Sequence, residues 1–223
     1  MGRINKGTVN LGGLEELLKE FDKNISIRVG ILGNKATQKA GNSNLTMAEL
    51  GAVHEFGATI NHPGGTPYLI KDDGTAQFVS KKNGENLPKT KPHQIVVPTR
   101  SFLRMPLLSS QGKKAIIKKT IEKLHQDGAL QAFLKTKPTN EINKVYRQTV
   151  KSNIPKEIMN DLAHSIAAAA HERVLEAFKT DGFGNWKPTS QAARKRRIGD
   201  PNNPTLDDTG DLKNSIEFEV KKL

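Results

Sequence analysis

The strongest constraint on the fold is a long helical run, KEIMNDLAHSIAAAAHERVLEAFK. Pro155 stands just before this run, where the fixed proline φ suits the first helical turn. Gly182 and Gly184 follow its end and stop it. The Ala167 to Ala170 stretch has high helix propensity and lets another helix approach closely. These features predict a long helix that packs tightly against the rest of the chain.

An earlier run after Gly112, KKAIIKKTIEKLHQDGALQAFLKT, predicts a second long helix. Ile117, Ile121 and Leu124 form its apolar stripe, while lysines cover its other faces. The spacing of leucines in LEELLKEF, residues 14–21, predicts a short helix near the N-terminus.

A capped helix is predicted over MAELGAVHEF. Thr46 precedes this run and Glu49 follows Thr46 by three residues, which is the capping-box spacing. Gly57 stands where a left-handed C-terminal residue is favoured. The apolar residues expected on its inner face are Leu50, Val53 and Phe56.

Alternating apolar residues predict strands near both ends of the chain, over Ile25 to Gly33 and over Glu217 to Leu223. The polar stretch Asn34 to Asn44 is interpreted as a loop. A short helix capped by Thr209 or Asp208 is expected just before the last strand.

Residues 62–97 read as an arm inserted into the fold. Tyr68 to Lys71 and Gln77 to Ser80 are predicted strands around an Asp73-Gly74 turn, and HQIVV is a third strand that Pro98 stops. The whole pattern predicts an α+β fold in a single domain over residues 1–223. A small, mostly antiparallel sheet packs against two long helices, and the arm projects as a β-hairpin.

Composition and charge exclude several classes of protein. Lys plus Arg number 35 against 23 for Asp plus Glu, so the formal net charge is +12. With no cysteine, the chain has no disulfide framework, thiolate zinc site or cysteine nucleophile. No apolar run approaches the ~20 residues of a membrane span, and MGRINKGTVNLGG lacks the apolar core of a secretory signal. We therefore expect no membrane partner.

Motifs for catalysis are missing from the sequence. GxSxG, Walker A and GxGxxG patterns do not occur. A metal-dependent hydrolase built on His54, Glu55 and His62 is the one enzymatic reading, but His54 has no second histidine four residues away on its helix. The aspartates near the C-terminus do not follow EF-hand spacing. We predict no enzyme activity, no metal and no cofactor.

The basic residues suggest an anionic neighbour without sequence readout. Aromatic residues make up 5% of the chain and are almost missing from the basic segments, so stacking on bases is not expected. Non-specific contact with DNA, contact with an acidic protein and a merely solvated face all stay open. The candidate residues are Lys113, Lys114, Lys118, Arg194, Lys195, Arg196 and Arg197.

Three segments, taken in order, resemble the phage virion morphogenesis family. They are MAELGAVHEFGATI (47–60), VVPTRSFLR (96–104), and GFGNWKPTSQAARKRR followed by LDDTGDLKNSIEF (182–218). They are similar to the family signatures A-x-x-H-E-F/Y-G, I-P-A-R-P-F-L-R and W-x-P-L-S…R-K…L-x-D-T-G-x-L-x-x-S-I. Thr99 stands where the family usually has Ala, and Ser101 where it has Pro.

The resemblance implies a tail-completion, tail-terminator or neck protein at the head–tail junction of a tailed bacteriophage. Such a protein is a ring subunit, expected here in a hexamer, located in the virion and assembled in the host cytoplasm. Its partners would be its own copies, the tail tube or head–tail connector, and genomic DNA passing through the channel without sequence recognition. The alternative function is non-specific DNA binding through the basic surface.

Each signature residue then has an expected role. Residues expected to face a neighbouring subunit are Tyr68, Ile70, Phe78, Arg100 and Arg104, with Glu55 as an alternative partner for the two arginines. Residues expected to anchor the fold are His54, Phe56, Phe102, Trp186 and Thr209.

Overall fold

The computed structural model describes residues 25–41, 43–126, 156–194 and 202–222. The predicted helix at residues 14–21 and the basic residues Lys195, Arg196 and Arg197 lie outside these ranges. The chain falls into two compact units. The first takes its described residues from Met1–Gly30, Ser110–Arg173 and Glu217–Leu223, and the second from Ile31–Ser109 and Val174–Ile216.

The described strands and helices fall largely into separate stretches of the chain, with four strands in succession followed by five helices, and the predicted α+β class is confirmed. The strands are β1 (Ile25–Ile31), β2 (Ala58–His62), β3 (Tyr68–Ile70), β4 (Ala76–Phe78), β5 (His93–Val97) and β6 (Ile216–Lys222). The helices are α1 (Gly33–Thr37), α2 (Met47–Phe56), α3 (Arg104–Leu108), α4 (Ser110–Gln126), α5 (Lys156–Lys179), α6 (Gln191–Arg194) and α7 (Asp211–Asn214).

The described strands pair as three two-stranded sheets, with β1 beside β6, β2 beside β5 and β3 beside β4. β2 and β5 are antiparallel, as are β3 and β4. The strand β2 follows directly from the end of α2 and was not predicted from the sequence. It supplies the partner that β5 needs.

In the first unit, the strand pair β1–β6 packs on the long helix α5. Leu162 and Ala163 of α5 are buried, and the half-buried Ile25, Ile27 and Val220 of the strands lie against them. Burial of each such aliphatic side chain is worth about 1.5–3 kcal/mol when complete. The predicted run of small residues in α5 is also largely buried, at Ala167, Ala169 and Ala170.

Helix α4 is tied to α5 in the same unit by ion pairs. The Glu172 carboxylate of α5 forms ion pairs with Lys123, whose Nζ lies 2.7 Å from Oε1, and with Lys119, whose Nζ lies 3.6 Å from Oε2. These hydrogen bonds and charges outweigh partial burial and hold the pKa of Glu172 below its usual value. Lys119 and Lys123 therefore serve the fold.

In the second unit, α2 begins and ends as the sequence predicts. Thr46 Oγ1 accepts the Glu49 backbone N–H at 3.2 Å, and Glu49 Oε2 accepts the Thr46 backbone N–H at 2.8 Å. This capping box satisfies two donors that the first helical turn leaves unpaired. Gly57 ends the helix with φ at +75°.

The buried face of α2 differs from the predicted one. Met47, Gly51 and Glu55 are buried, whereas the predicted inner residue Phe56 is 62% exposed. A Cβ added at Gly51 would lie 2.5 Å from Ile31 Cδ1, so the glycine lets neighbouring side chains reach the helix. The prediction was wrong for Phe56 because the polar Glu55 takes the inward position.

Two other local predictions were wrong. The stretch interpreted as a loop begins with α1, because Gly33–Thr37 closes one short helical turn. Helix α7 has Gly210 at its N-cap, with φ at +83°, and no capping side chain. Thr209 Oγ1 accepts the Asp211 N–H only at a long 3.4 Å, so Thr209 is a weak anchor.

An aromatic cluster closes the core of the second unit. Phe102 and Phe178 are fully buried with ring centroids 5.2 Å apart. Trp186 meets Phe178 edge-on at 5.9 Å, a favourable aromatic geometry. The expected anchoring residues Phe102 and Trp186 thus sit together in this core.

The chain reaches Trp186 through a left-handed turn. Asp181, Gly182, Phe183 and Gly184 all have φ between +48° and +79°. Asp181 Oδ1 accepts the Thr205 backbone N–H at 2.6 Å, and the Asp181 backbone carbonyl accepts the Trp186 backbone N–H at 3.0 Å. The turn ends α5 and fixes the direction from which the indole enters the core.

The arm residues make hydrogen bonds to one another. Tyr68 pairs with Phe78 and Ile70 with Ala76, as the predicted hairpin requires. The turn closes through Lys71, whose N–H donates to Thr75 O and whose carbonyl accepts from Gly74.

Among the described residues, no helix is long and apolar enough to cross a membrane.

Alanine substitutions at the two turn glycines separate steric clash from backbone strain. Both positions have positive φ, which costs a Cβ-bearing residue about 1–2 kcal/mol. A Cβ at Gly182 would also lie 2.3 Å from Trp186 Nε1, whereas nothing lies within 4 Å of one at Gly184. We expect Gly182→Ala to lower the free energy of unfolding by about 3 kcal/mol or more, and Gly184→Ala by about 1–2 kcal/mol.

Urea titration followed by the fluorescence of Trp186, the one tryptophan of the chain, and by circular dichroism measures both variants. Equal losses of stability would show that the indole does not constrain Gly182.

Candidate functional site

The carboxylate of Glu55 lies at the centre of a hydrogen-bonded cluster, which we call the Glu55 cluster and which comprises Glu55, Ser101, Leu103 and Arg104. Glu55 is the next-to-last residue of α2, and only 4% of it is exposed. Its oxygens accept Ser101 Oγ at 2.7 Å, Leu103 N at 2.9 Å and Arg104 N at 3.0 Å. A single side chain therefore fixes the chain that leads into α3.

Arg104 completes the cluster from the side that faces solvent. Its Nε donates to Glu55 Oε1 at 2.9 Å, and its terminal NH2 group donates to the Glu55 backbone carbonyl at 3.1 Å. The guanidinium lies 4.4 Å from the centre of the Phe56 ring, a cation–π contact. Phe56 is thus a surface platform for Arg104 and not a core anchor.

The donors around Glu55 determine its charge state. Burial on its own raises the pKa of this carboxyl, but hydrogen bonds from Ser101, Leu103 and Arg104 together hold the pKa below its usual value. Glu55 is therefore ionised at neutral pH with its oxygens directed at donors. A carboxylate held in this way is not a free metal ligand or general base.

Arg100 is buried, which contradicts its expected position at a subunit interface. Only 8% of the residue is exposed. Its Nε and NH2 groups donate to the Lys187 carbonyl at 3.3 and 3.1 Å, and its backbone N–H donates to His54 O at 2.7 Å. The physical reason is that the guanidinium satisfies a carbonyl of the loop after Trp186.

These contacts bring the three signature segments together. Glu55 of the first segment binds the second, and Arg100 of the second binds the loop of the third at Lys187. Helix α7, also in the third segment, contacts α2. Arg104 meets Glu55, the carboxylate that was predicted as one alternative for it.

A cleft of about 890 Å³ lies beside this cluster in the second unit. His54 and Arg100 line it together with Val96 of β5, Lys187, Asp208 and Asp211. His54 Nδ1 is buried, and no hydrogen-bond partner for it is found among the described residues. Burial, helped by the positive charge of Arg100, lowers the pKa of His54 to about 4.

The histidines do not converge on a metal site. In the part of the chain that the structure describes, no three His, Cys, Asp or Glu side chains are grouped to hold a metal ion. His62 pairs with His93, with ring centroids 4.9 Å apart. The residues considered for a hydrolase are therefore apart in function: His54 lines the cleft, Glu55 is held by its donors, and His62 lies against His93.

The basic candidates fall in different places. Lys113, Lys114 and Lys118 are exposed on α4, and Lys118 has Glu122 at 3.9 Å one turn away. Arg194 is half-buried, and its Nε donates to the Thr189 carbonyl at 3.3 Å. Of the predicted basic candidates that the structure describes, the three lysines are thus the exposed ones.

Two of the three apolar candidates in the arm are well exposed. Ile70 is 70% exposed and Phe78 is 52% exposed, while Tyr68 is half-buried. The pairing of Tyr68 with Phe78, and of Ile70 with Ala76, places all four on one face of the hairpin. Leu69 and Gln77 lie on the opposite face.

Comparisons of the chain with protein-family models, with curated proteins and with solved structures gave no match. The resemblance to phage morphogenesis proteins consequently stays a prediction from the three sequence segments.

Sequence reasoning missed the role of Ser101. Its hydroxyl donates to Glu55 and accepts the Met105 N–H at 2.9 Å, so it caps α3 as well as binding the carboxylate. Thr99 Oγ1 likewise donates to the Phe56 carbonyl at 3.1 Å. The available signal was that Thr99 and Ser101 both bring in a hydroxyl near a chain turn.

Replacing Glu55 tests whether its carboxylate organises the second unit. Glu55→Gln preserves the shape but turns one oxygen into an NH2 group that faces other donors. We expect the free energy of unfolding to fall by about 3 kcal/mol, because buried donors lose a charged acceptor. Glu49→Gln, at an exposed cap, is the matched control and should cost less. A loss for Glu55→Gln no larger than that of the control would contradict this role.

His54 should make stability depend on pH. Its pKa is about 4 in the folded chain, against 6.5 as the ordinary value, so the unfolded chain binds the proton first as pH falls. This residue alone should lower the free energy of unfolding by about 2 kcal/mol between pH 7 and pH 5. Above pH 7, His54 should cause almost no change of the free energy of unfolding with pH.

Urea titrations of the wild type and His54→Gln at pH 7, 6 and 5 measure this contribution. The variant should lose less stability over that range, and the other titrating groups are common to both proteins. Identical pH slopes would show that His54 is not held neutral.

Proposed function

We propose that the chain is a structural virion protein at the head–tail junction of a tailed bacteriophage. It would terminate or complete the tail as one subunit of a ring, with its own copies and the tail tube or connector as partners. The proposal rests on the three ordered segments that resemble the family. The observation that supports it most directly is the exposed apolar face of the arm.

That face fits the needs of a ring. Each subunit of a cyclic ring contacts its neighbours through two different patches, so a projecting element on one subunit can meet a receiving surface on the next. Ile70 and Phe78 lie exposed side by side with Tyr68 on one face of the hairpin. Exposed apolar residues on a short two-stranded sheet are typical of a surface that a partner covers.

The Glu55 cluster supports a structural role for the signature residues. Glu55 is held by several donors and Arg100 binds a carbonyl of its own chain. Their polar groups are used to fix the chain between α2, α3 and the loop after Trp186. We therefore propose that the protein works by assembly and not by catalysis.

The alternative function, non-specific DNA binding, is favoured by the net charge of +12 and by exposed Lys113, Lys114 and Lys118. A protein that relies on phosphate contacts loses affinity steeply as salt rises. A flat dependence of affinity on salt would remove this alternative. A ring around a DNA channel also needs a cationic lumen without base recognition, so a steep salt dependence is compatible with the main proposal as well.

Incorporation into particles tests the main proposal. We expect mass spectrometry to detect the chain in purified tailed particles from cells that encode it. Phe78→Asp, supplied in trans, should be incorporated at less than about a tenth of the wild-type level, because a carboxylate cannot be buried without a partner.

Gln77→Asp is the matched control, since it adds the same charge to the opposite face of the same strand. It should be incorporated like the wild type. Absence of the wild-type chain from the particles would refute the proposal. Equal incorporation of both variants would refute the role of the arm face.

A further inference from the structure

The base of the arm consists of two chain segments that pair with each other, and two histidines face each other at one end of this pair. We define the arm base as residues 62–67 and 88–93. Gly65 N–H donates to Thr90 O at 2.8 Å, and Thr90 N–H donates to Thr66 O at 2.9 Å. At the end nearest the β2–β5 sheet, His62 stands directly opposite His93. Their ring centroids are 4.9 Å apart, with the planes tilted by 31°.

The hydrogen bonds of the two rings assign their protons. The Gly64 backbone N–H donates to His62 Nδ1 at 3.0 Å, so this nitrogen must keep its lone pair. His93 Nδ1 lies 2.8 Å from the Lys91 carbonyl, which only accepts, so this nitrogen carries a proton. The observed arrangement therefore requires a His62 ring that is unprotonated at Nδ1.

Gly64 is a position where the chain has little freedom to adjust. Its φ is +80°, and an added Cβ would lie 2.6 Å from Thr90 O and 2.8 Å from Pro92 N. The two chains of the arm base thus pass each other closely at this residue. The contact from Gly64 to His62 holds the turn by which the chain enters the arm.

The charges around the pair add to the effect of a proton. The two segments that carry the histidines, residues 58–67 and 88–97, contain no Asp or Glu. Residues 79–87 meet the other end of the arm base at Pro67, and their charged residues are Lys81, Lys82 and Glu85. The basic side chains of the two histidine-bearing segments are Lys89 and Lys91, and both are exposed. The only other titratable groups in these two segments are the two histidines themselves.

We propose that His62 is a proton-sensitive latch for the arm. While its ring is neutral, Nδ1 accepts the Gly64 N–H and the arm base stays closed. A proton added at Nδ1 places two donors face to face, breaks the Gly64 contact and puts positive charge beside His93 and the two lysines. The arm base then opens at Gly64, while the β2–β5 sheet and the Glu55 cluster stay folded. The latch works in a single subunit and does not require assembly of subunits into a ring.

Nuclear magnetic resonance of the full chain between pH 7.5 and pH 5 tests the latch. The Gly64 amide signal should shift with the same midpoint as the His62 ring Cε1–H signal. Hydrogen-exchange protection of the Gly65 and Thr90 amides, corrected for intrinsic exchange, should fall about tenfold, as for the loss of one hydrogen bond. The amides of α2 should keep their protection.

His62→Asn is the decisive variant, because Asn Oδ1 can occupy the place of Nδ1 and accept the Gly64 N–H without titrating. We expect the pH response of the arm base to disappear in this variant. A wild-type Gly64 signal that does not change with pH, or that follows a midpoint different from that of His62, would overturn the proposal. So would an unchanged response in His62→Asn. The two midpoints in the wild type decide the question even when the variant fails to fold.

Discussion

The second unit depends on the buried charge of Glu55. Glu55 is brought inward by the capped helix α2, and its oxygens gather the backbone donors of Leu103 and Arg104 and the hydroxyl of Ser101. An unpaired carboxylate at this depth would be strongly destabilising, so the chain after β5 must turn toward α2 to supply donors. That turn places Phe102 in the core and Arg100 against the loop that follows Trp186.

Features that depend on neighbouring residues could be predicted from the sequence. The capping box of Thr46 and Glu49, the hairpin around Gly74 and the long helix α5 each depend on spacing within a few residues, and each is confirmed. The position of Trp186 in the core also followed from its size and its place after the helix.

Features that depend on distant residues could not be predicted in the same way. Hydropathy assigned Phe56 to the core of α2, but Glu55 takes that place because donors from beyond residue 100 satisfy it. Arg100 was predicted to contact a partner, but its guanidinium donates to the carbonyl of Lys187, a residue far along the chain. In both cases a polar group is buried by a contact that no local pattern contains.

The aromatic cluster has a consequence for how the protein is made. Phe102 belongs to the first stretch of the second unit, whereas Phe178 and Trp186 belong to its last stretch, and the first unit takes most of the chain between them. On the ribosome, the N-terminal part of this core therefore emerges long before its aromatic partners are synthesised. Completion of the core must wait for the C-terminal segment, so premature termination before α5 would leave Phe102 exposed in an unfinished and aggregation-prone product.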